Sequence, residues 1–564
     1  MMLSRPQTKK IVTSTRAAEN PPALLTRILE AQRRDAPLVA WAVLVGALAG
    51  GVGGAFRACV RAAREGIVQV SSLADGLSVP SWVLAALLGA AAVTLAVWCV
   101  RRFAPEAGGS GVQEIEGVLD GVRTLRWRRV LPVKFGAGVL ALGSGLALGR
   151  EGPTIQLGGA LGQAICERFR LDPEKLHVLV AAGSGAGLAA AFSAPLAGML
   201  FVIEEMRPQF HYNVVSVQAV LIACAVSDVV VRLILGDGVA LPIAVFASPE
   251  NAALWTFPVF GVLIGAVGYL FNTSLLQGVD RTAQFGERAR LVFAGSMGAA
   301  LGILSVQIPN LAGGGDAVIG EMMVGNLPVL TLLAIFAARF VITIASYSTG
   351  APGGIFSPML ALGTCFGLCF GHFAHELLPA LIPHPEVFAV AAMGALFSAT
   401  VRAPVTGIVL AVELTGSYDQ LLPLILTCVP ATLVAHGLGG TPIYTALLER
   451  MLARETHTAQ QPPPGSGDPA AGDPPTPEIR GTLFFYTKAD CPLCDHGRAV
   501  AEKIARRFSL GITQIDIEGD PKLQARHAKR VPVLTLDERE LGWGRLSEGA
   551  ITHVLDSMGR GAER

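Results

Sequence analysis

The sequence predicts an α-helical, polytopic membrane protein with a small α/β domain at its C-terminus. Three observations carry this. Of the 564 residues, 52% are hydrophobic and 15% charged, against about 25% charge in a soluble domain. Residues 176–203 and 340–375 lack Asp, Glu, Lys and Arg, and between Lys134 and Glu167 only Arg150 and Glu151 are charged. Beyond residue 480 ordinary charge density returns, with alternating strand and helix patterns. This composition excludes a disordered or collagen-like chain. A formal net charge of +1 gives no basis for a nucleic-acid partner.

A membrane span needs about 20 apolar residues. Spans are expected near 37–60, 80–100, 130–148, 176–203, 214–235, 252–271, 290–307, 327–345 and 384–439. Pieces such as 152–166 and 403–412, cut short by Gly and Pro, read as half-helices buried in a bundle. The first 36 residues form an N-terminal segment with Arg5, Lys9, Lys10, Arg16, Arg27, Arg33 and Arg34. No short apolar region followed by a small-residue cleavage site occurs there, so no signal peptide is expected. Positive charge ahead of the first span predicts a cytoplasmic N-terminus. The membrane domain is expected over 37–452, a Pro/Gly/Asp-rich linker over 453–480 and a soluble domain over 481–564. In the last, 482–487, 512–517 and 531–536 read as strands and 495–507 as an amphipathic helix.

The membrane part repeats itself weakly. APLAGMLFVIEE (194–205) resembles APVTGIVLAVEL (403–414): Ala-Pro, a Gly three residues after Pro and a Glu six later recur at an offset of 209. VAAGSGAG (180–187) faces VAAMGAL (390–396), and GREGPTIQLGGALG (149–162) faces GAPGGIFSPMLALG (350–363). Repeats broken by Gly and Pro at corresponding positions point to a substrate site at their interface.

Three Gly-rich breaks carry the chemistry: GSGVQE (109–114), GREGP (149–153) and GGIFSP (353–358). Glycine lets the backbone turn and approach a ligand. A helix starting at such a break presents free N–H groups and the positive end of its dipole, which bind an anion without a full positive charge. Packing glycines and helix kinks are the structural alternative for any one break. Glu151 resists that alternative, because a central membrane carboxylate costs about 2.5–3.5 kcal/mol. Arg150, its neighbour, would not face it on a helix and is expected to pair elsewhere, with Glu114.

GSGVQEIEG, GREGPTIQLGG, GGIFSP and Tyr444 in GGTPIYTALL, in this order, resemble the CLC family of chloride channels and chloride/proton antiporters over about 37–452. The resemblance implies a homodimer in the lipid bilayer, each subunit holding its own pore built from inverted repeats of broken helices. It implies that Glu151 gates the anion path and carries protons, competing with chloride when ionised. Ser110 would be the central chloride ligand, in the form associated with chloride rather than nitrate. Ile355 and Phe356 would donate backbone N–H groups and Tyr444 its phenol. Gly109, Gly111, Arg150, Gly152 and Pro153 would shape the site. Glu205, the second acid of FVIEEMRPQF, would transfer protons on the cytoplasmic side, as in the antiporters; a solvated interfacial pair with Glu204 is the alternative. The chain departs from the family at Val112-Gln113, where Ile-Pro is common, so an altered helix start is expected there without loss of the site.

The soluble part carries Cys491-Pro492-Leu493-Cys494 between a strand and a helix, where a helix N-terminus favours a thiolate. Val531-Pro532-Val533 precedes the third strand. Over about 481–558 this resembles the glutaredoxin-like, thioredoxin-fold family, in which Pro532 would sit in cis beside the cysteines. Cys491 is expected to attack and Cys494 to resolve; Asp490 opposes thiolate formation and Lys488 offsets it in part, the sequence leaving the net sign open. A zinc site with His496 or His527 and an inert remnant are the alternatives to a redox pair. The other seven cysteines read as packing residues.

These readings converge on a chloride/proton antiporter of an inner membrane, both termini and the redox domain cytoplasmic. No cofactor and no metal are expected; a small thiol or thiol protein is a possible partner. A passive chloride channel is the rival within the class. A membrane-tethered thiol-disulfide oxidoreductase is the rival outside it.

Overall fold

The computed structural model describes residues 21–73, 79–206, 213–236, 249–325, 327–460, 481–488, 491–527 and 530–544, with 546, 551, 552, 554, 555 and 558 beyond them. The chain forms two compact units, 1–119 with 125–446 and 120–124 with 447–564, so that α17 (Ile443–Gln460), described below with the first, crosses the division.

The first unit is all-helical. Its helices are α1 Pro21–Leu73, α2 Ser81–Phe103, α3 Val112–Leu119, α4 Trp127–Gly143, α5 Glu151–Phe169, α6 Pro173–Phe192, α7 Pro195–Glu205 and α8 Val214–Leu235. There follow α9 Thr256–Ala283, α10 Glu287–Gln307, α11 Asp316–Val324, α12 Val329–Ser348, α13 Phe356–Leu377, α14 Val387–Val401, α15 Pro404–Thr415, α16 Leu421–Gly437 and α17 Ile443–Gln460. Among the described residues nine helices are long and apolar enough to cross a membrane. The chain is a multi-pass membrane protein.

Hydropathy alone merges what the backbone breaks. The expected span 176–203 is α6 plus α7, and 384–439 is α14, α15 and α16. Both repeats break the same way: Ser193 (φ 55°) and Arg402 (φ 74°) turn left-handed, and the Ala-Pro that follows restarts the chain. Proline bars its predecessor from helical geometry, and Ala194 and Ala403 lie at φ −130° and −119°. The expected span at 130–148 ends at Gly143, and α13 stands where no span was expected. The half-helix at 152–166 is a 19-residue helix, because its pattern runs on through Gln163, Glu167 and Arg168.

Small residues set the packing. A Cβ on Gly89 would lie 2.3 Å from the Gly298 carbonyl oxygen, and one on Gly298 the same distance from that of Gly89. Corresponding helices, α2 and α10, thus meet reciprocally, as across a two-fold axis. A Cβ on Gly185 of α6 would meet the Gly198 oxygen at 2.9 Å and Cys224 Sγ at 3.0 Å; one on Gly394 of α14 would meet the Gly407 oxygen at 2.9 Å and Cys428 Sγ at 3.1 Å. The side-chain-free approach is what membrane helices use in place of a hydrophobic driving force.

The repeat is inverted, and its acids show it. Glu204, at the end of α7, accepts from the Val405 and Thr406 N–H groups at the start of α15 (3.1 and 2.7 Å). Glu413, near the end of α15, accepts from Leu196 and Ala197 at the start of α7 (3.0 and 2.7 Å). Each half-helix therefore has its tail at the other's head. A carboxylate here satisfies N–H groups that lipid could not and favours the positive end of the dipole.

The second unit is a mixed four-stranded sheet with β1 Thr482–Thr487, α18 Pro492–Arg507, β2 Gly511–Asp516, α19 Pro521–His527, β3 Val533–Leu536 and β4 Arg539–Trp543. Strand order is β2-β1-β3-β4; β1 and β2 are parallel and the other pairs antiparallel. Leu483, Phe485, Ile504, Leu534 and Leu555 form its core. The edge strand β4, RELGW, went unpredicted because its residues are largely exposed and do not alternate.

Glu413→Ala removes both acceptors from the start of α7. It should lower stability by about 1–2 kcal/mol, the upper range for a lost helix cap, with a smaller loss for Glu413→Gln. Thermal unfolding of the detergent-solubilised protein checks this.

A candidate anion site where broken helices meet

The loop Gly109-Ser110-Gly111 enters α3 through two left-handed glycines (φ 59° and 89°). Its carbonyls are taken up from behind. The fully buried Lys134 of α4 donates to the Ala107, Gly109 and Ser110 oxygens at 3.0, 2.8 and 3.1 Å. The Gly109 oxygen also accepts from Gly353 N–H at 3.0 Å. With these carbonyls engaged, Ser110 Oγ is the buried side-chain atom of the loop that keeps no hydrogen bond of acceptable geometry among the described residues.

The other two breaks are joined directly. Gly149 and Gly354 exchange N–H···O bonds of 2.8 and 2.7 Å, a two-residue antiparallel bridge between the starts of α5 and α13. Glycine is required at both ends: a Cβ on Gly354 would lie 2.8 Å from Gly152 N, and one on Gly149 would overlap Glu151 Oε2. A Cβ on Gly152 would come within 2.5 Å of Ser110 Oγ, so the start of α5 also abuts the Ser110 loop. Pro153 follows within the first turn of α5, where its missing N–H costs nothing.

Five predicted residues converge here. Glu151 is fully buried, accepts from Ser357 Oγ through Oε1, and leaves Oε2 without a hydrogen-bond partner among the described residues. Ser110 Oγ and Tyr444 Oη are buried side by side, yet neither makes a hydrogen bond of acceptable geometry. Phe356 opens α13, whose first-turn N–H groups have no carbonyl ahead of them, and Ile355 is its N-cap. The Phe356 ring packs against Phe201, Phe397 and Tyr444, with centroids 5.6, 4.8 and 5.9 Å away, which fixes the phenol. Unpaired donors around one buried point are a surface made for an anion.

Arg150 does not pair with Glu114. Its Nη1 meets Asp316 at 2.9 Å and its Nε donates to the Ala191 oxygen at 3.0 Å. As the N-cap residue of α5 it turns toward α11, while Glu114 lies in the field of Lys134. Glu204 and Glu205 are not a solvated pair. Glu204 caps α15, whereas Glu205 faces Glu116 of α3 and keeps a buried Oε1 without a hydrogen bond of acceptable geometry.

Sequence reasoning missed Lys134, Ser357, Tyr347, Glu116 and Asp316. Lys134 was visible as the charge closing an apolar run. The others required three-dimensional proximity, since Ser357 meets Glu151 from 206 positions away.

In the second unit Cys491 and Cys494 form a disulfide with Cα atoms 5.2 Å apart. Cys491 is the N-cap of α18, and its Sγ accepts from Cys494 N–H at 3.2 Å. Cys491 is half-buried and Cys494 buried. Val531-Pro532 is cis, and Pro532 packs against Gly497 of α18. His527 stacks on Tyr486 at 4.7 Å. Burial holds its imidazole below the usual pKa, and Arg526 and Arg530 act in the same direction. Asp490 and the His496 side chain lie outside the described residues.

The fold and these motifs define a membrane transport protein of the CLC type carrying a glutaredoxin-like domain. The family model "voltage gated chloride channel" matches residues 92–436, and "glutaredoxin-like domain" matches 482–556. The chain belongs to the voltage-gated chloride channel (CLC) family. It is 46% identical over 426 residues to the H(+)/Cl(-) exchange transporter ClcA of Vibrio parahaemolyticus, covering 75% of this chain and 91% of that one. It is 45% identical over 440 residues to the ClcA of Salmonella arizonae, covering 77% and 92%. A crystal structure of a slow cyanobacterial Cl-/H+ antiporter superposes with a TM-score of 0.72 at 38% identity, covering 74% and 99%.

Lys134→Met takes the lysine donor from the Ala107 and Ser110 carbonyls, leaves that of Gly109 with Gly353 N–H alone, and removes an amine from behind Ser110. Chloride binding to the purified protein should weaken at least about tenfold, read by titration calorimetry.

Proposed function

We propose that the 37–452 domain exchanges chloride for protons across an inner membrane, with Glu151 as the moving element. The observation that carries this is the placement of the Glu151 carboxyl at the start of α5, next to Ser110 and Tyr444 hydroxyls that make no hydrogen bond of acceptable geometry among the described residues. An ionised carboxylate there occupies the donors a chloride would use, and the two exclude each other electrostatically. Protonation removes the charge, so that anion entry and proton uptake become one event. Ser110, Tyr444 and the Ile355 and Phe356 N–H groups hold the anion. Glu205, facing Glu116, passes protons between the cytoplasm and Glu151. The exchange activity named for the ClcA relatives and for the cyanobacterial antiporter supports this reading.

The protein acts as a homodimer. The half-helices α7 and α15 have 11 and 12 residues, too few to cross a bilayer core of about 30 Å. Alongside them α8 and α16 expose Val229, Leu233, Leu422, Ile425 and Leu433. A second copy against this face would shield helix ends that lipid leaves unsatisfied. Both termini lie in the cytoplasm, consistent with the basic N-terminal segment.

The 481–564 domain is a cytoplasmic thiol-disulfide module. Cys491 as thiolate attacks a disulfide of a small thiol or thiol protein, forming a mixed disulfide and releasing one thiolate. Cys494 then attacks Cys491 Sγ, releasing the second thiolate and leaving the pair oxidised. The accessible Cys491 at a helix start and the buried Cys494 suit these two roles.

Liposomes reconstituted with the protein should drive protons uphill on an imposed chloride gradient. Glu151→Gln and Glu205→Gln should each stop proton movement while chloride still passes. Chloride flux in the unaltered protein without a proton gradient would instead establish a passive channel.

Chloride flux should depend on reductant, and Cys491→Ser should remove that dependence. Equal flux from oxidised, reduced and tail-deleted protein would separate the thiol chemistry from transport.

A further inference from the structure

Gln113, the second residue of α3, is 4% exposed, and its Oε1 is buried with no hydrogen-bond partner among the described residues. Its Nε2 lies beside the Ser110 loop: it is 3.6 Å from the point a Cβ on Gly109 would occupy, a point also 3.3 Å from Tyr347 Oη. Tyr347 Oη in turn accepts from Ser110 N–H at 3.5 Å. A side-chain amide left unpaired in a buried position costs about 1–3 kcal/mol.

The neighbouring groups decide what the amide faces. The carbonyls of Ala107, Gly109 and Ser110 are engaged by Lys134, and that of Gly109 also by Gly353. The carbonyls on this stretch are thus occupied, and among the described residues the buried polar side-chain atoms without a hydrogen-bond partner around it are Ser110 Oγ, Tyr444 Oη, Gln113 Oε1, Glu151 Oε2 and, against Gly111, Gln156 Oε1. Amide oxygen and nitrogen are nearly isosteric, so a half-turn about the last torsion presents the NH₂ group wherever Oε1 now points.

We infer that Gln113 is a further anion ligand and selectivity determinant, its side-chain NH₂ donating to the permeating anion beside Ser110. This rests on the chloride/proton exchange reading above. A neutral amide donor rewards a small anion that accepts strong, directed hydrogen bonds, and gives little to a large, weakly hydrated one. It therefore favours chloride over thiocyanate.

Gln113→Met keeps the volume and removes the donor. Calorimetric chloride binding should weaken about three- to tenfold, the scale of one neutral hydrogen bond, and the chloride/thiocyanate flux ratio in liposomes should fall by a similar factor. Gln113→Asn retains the amide but withdraws it by one methylene, and should shift both quantities in the same direction by less; it also serves if the methionine variant does not fold. A folded Gln113 variant with unchanged chloride affinity and unchanged flux ratio overturns the inference. The unaltered protein is run in parallel: its failure to exchange chloride for protons would overturn the transport reading instead, independently of what the Gln113 variants do.

Discussion

A helix that breaks inside a bilayer must find partners within the protein for every main-chain group it frees, since lipid supplies none. The membrane unit is organised around that constraint. At the Ser110 loop the freed carbonyls are collected by one ammonium group, Lys134. At Gly149 and Gly354 two breaks satisfy each other through a reciprocal bridge. At α7 and α15 a carboxylate from each repeat closes the N-terminus of the other. The carbonyls are taken up in this way, whereas the Ser110 and Tyr444 hydroxyls, beside the Glu151 carboxyl, keep no hydrogen bond of acceptable geometry among the described residues, and that place is the candidate anion site.

The inverted repeat is what makes this balance possible. A break repeated in the same orientation would place like ends of two helices apart; inversion brings the tail of α7 to the head of α15 and the reverse. The same operation places Gly89 against Gly298 and gives Gly185 and Gly394 matching surroundings, each with a carbonyl and a cysteine sulfur at nearly equal distances. Cys224 and Cys428 are therefore packing residues with equivalent positions. Their conversion to larger residues would meet the same obstacle in both halves.

Much of this was legible in the sequence because breaks have local causes. Ala-Pro, the Gly-rich motifs and the Glu at a fixed distance beyond each Ala-Pro are visible in single stretches, and Ser110, Glu151, Phe356 and Tyr444 come from such stretches. Span boundaries were less legible: hydropathy passes smoothly through Ser193 and Arg402, where the backbone turns left-handed. The partners of the charged groups were not legible at all. Arg150 meets Asp316 and Glu151 meets Ser357 across more than 150 positions, and no spacing rule links them. The same limit applies to β4, whose exposed residues leave no hydrophobic period to read.

Two acids next to each other, Glu204 and Glu205, show how position alone separates structure from chemistry. They differ by one residue at the end of α7, so they point about 100° apart around the helix. Glu204 reaches α15, where three donors from Val405 and Thr406 fill its two oxygens. Such a group is saturated and suited to holding two helices together. Glu205 turns instead toward α3 and Glu116, another carboxyl, with a buried oxygen that makes no hydrogen bond of acceptable geometry among the described residues. Two buried carboxyls side by side are most stable when they share a proton, because like charges at that range repel strongly in a medium of low dielectric. A proton held between groups of similar affinity is also one that moves easily. The helix end thus carries, on adjacent residues, one carboxylate whose oxygens are filled and one with an oxygen left open among the described residues, and the proposed proton step falls to the second.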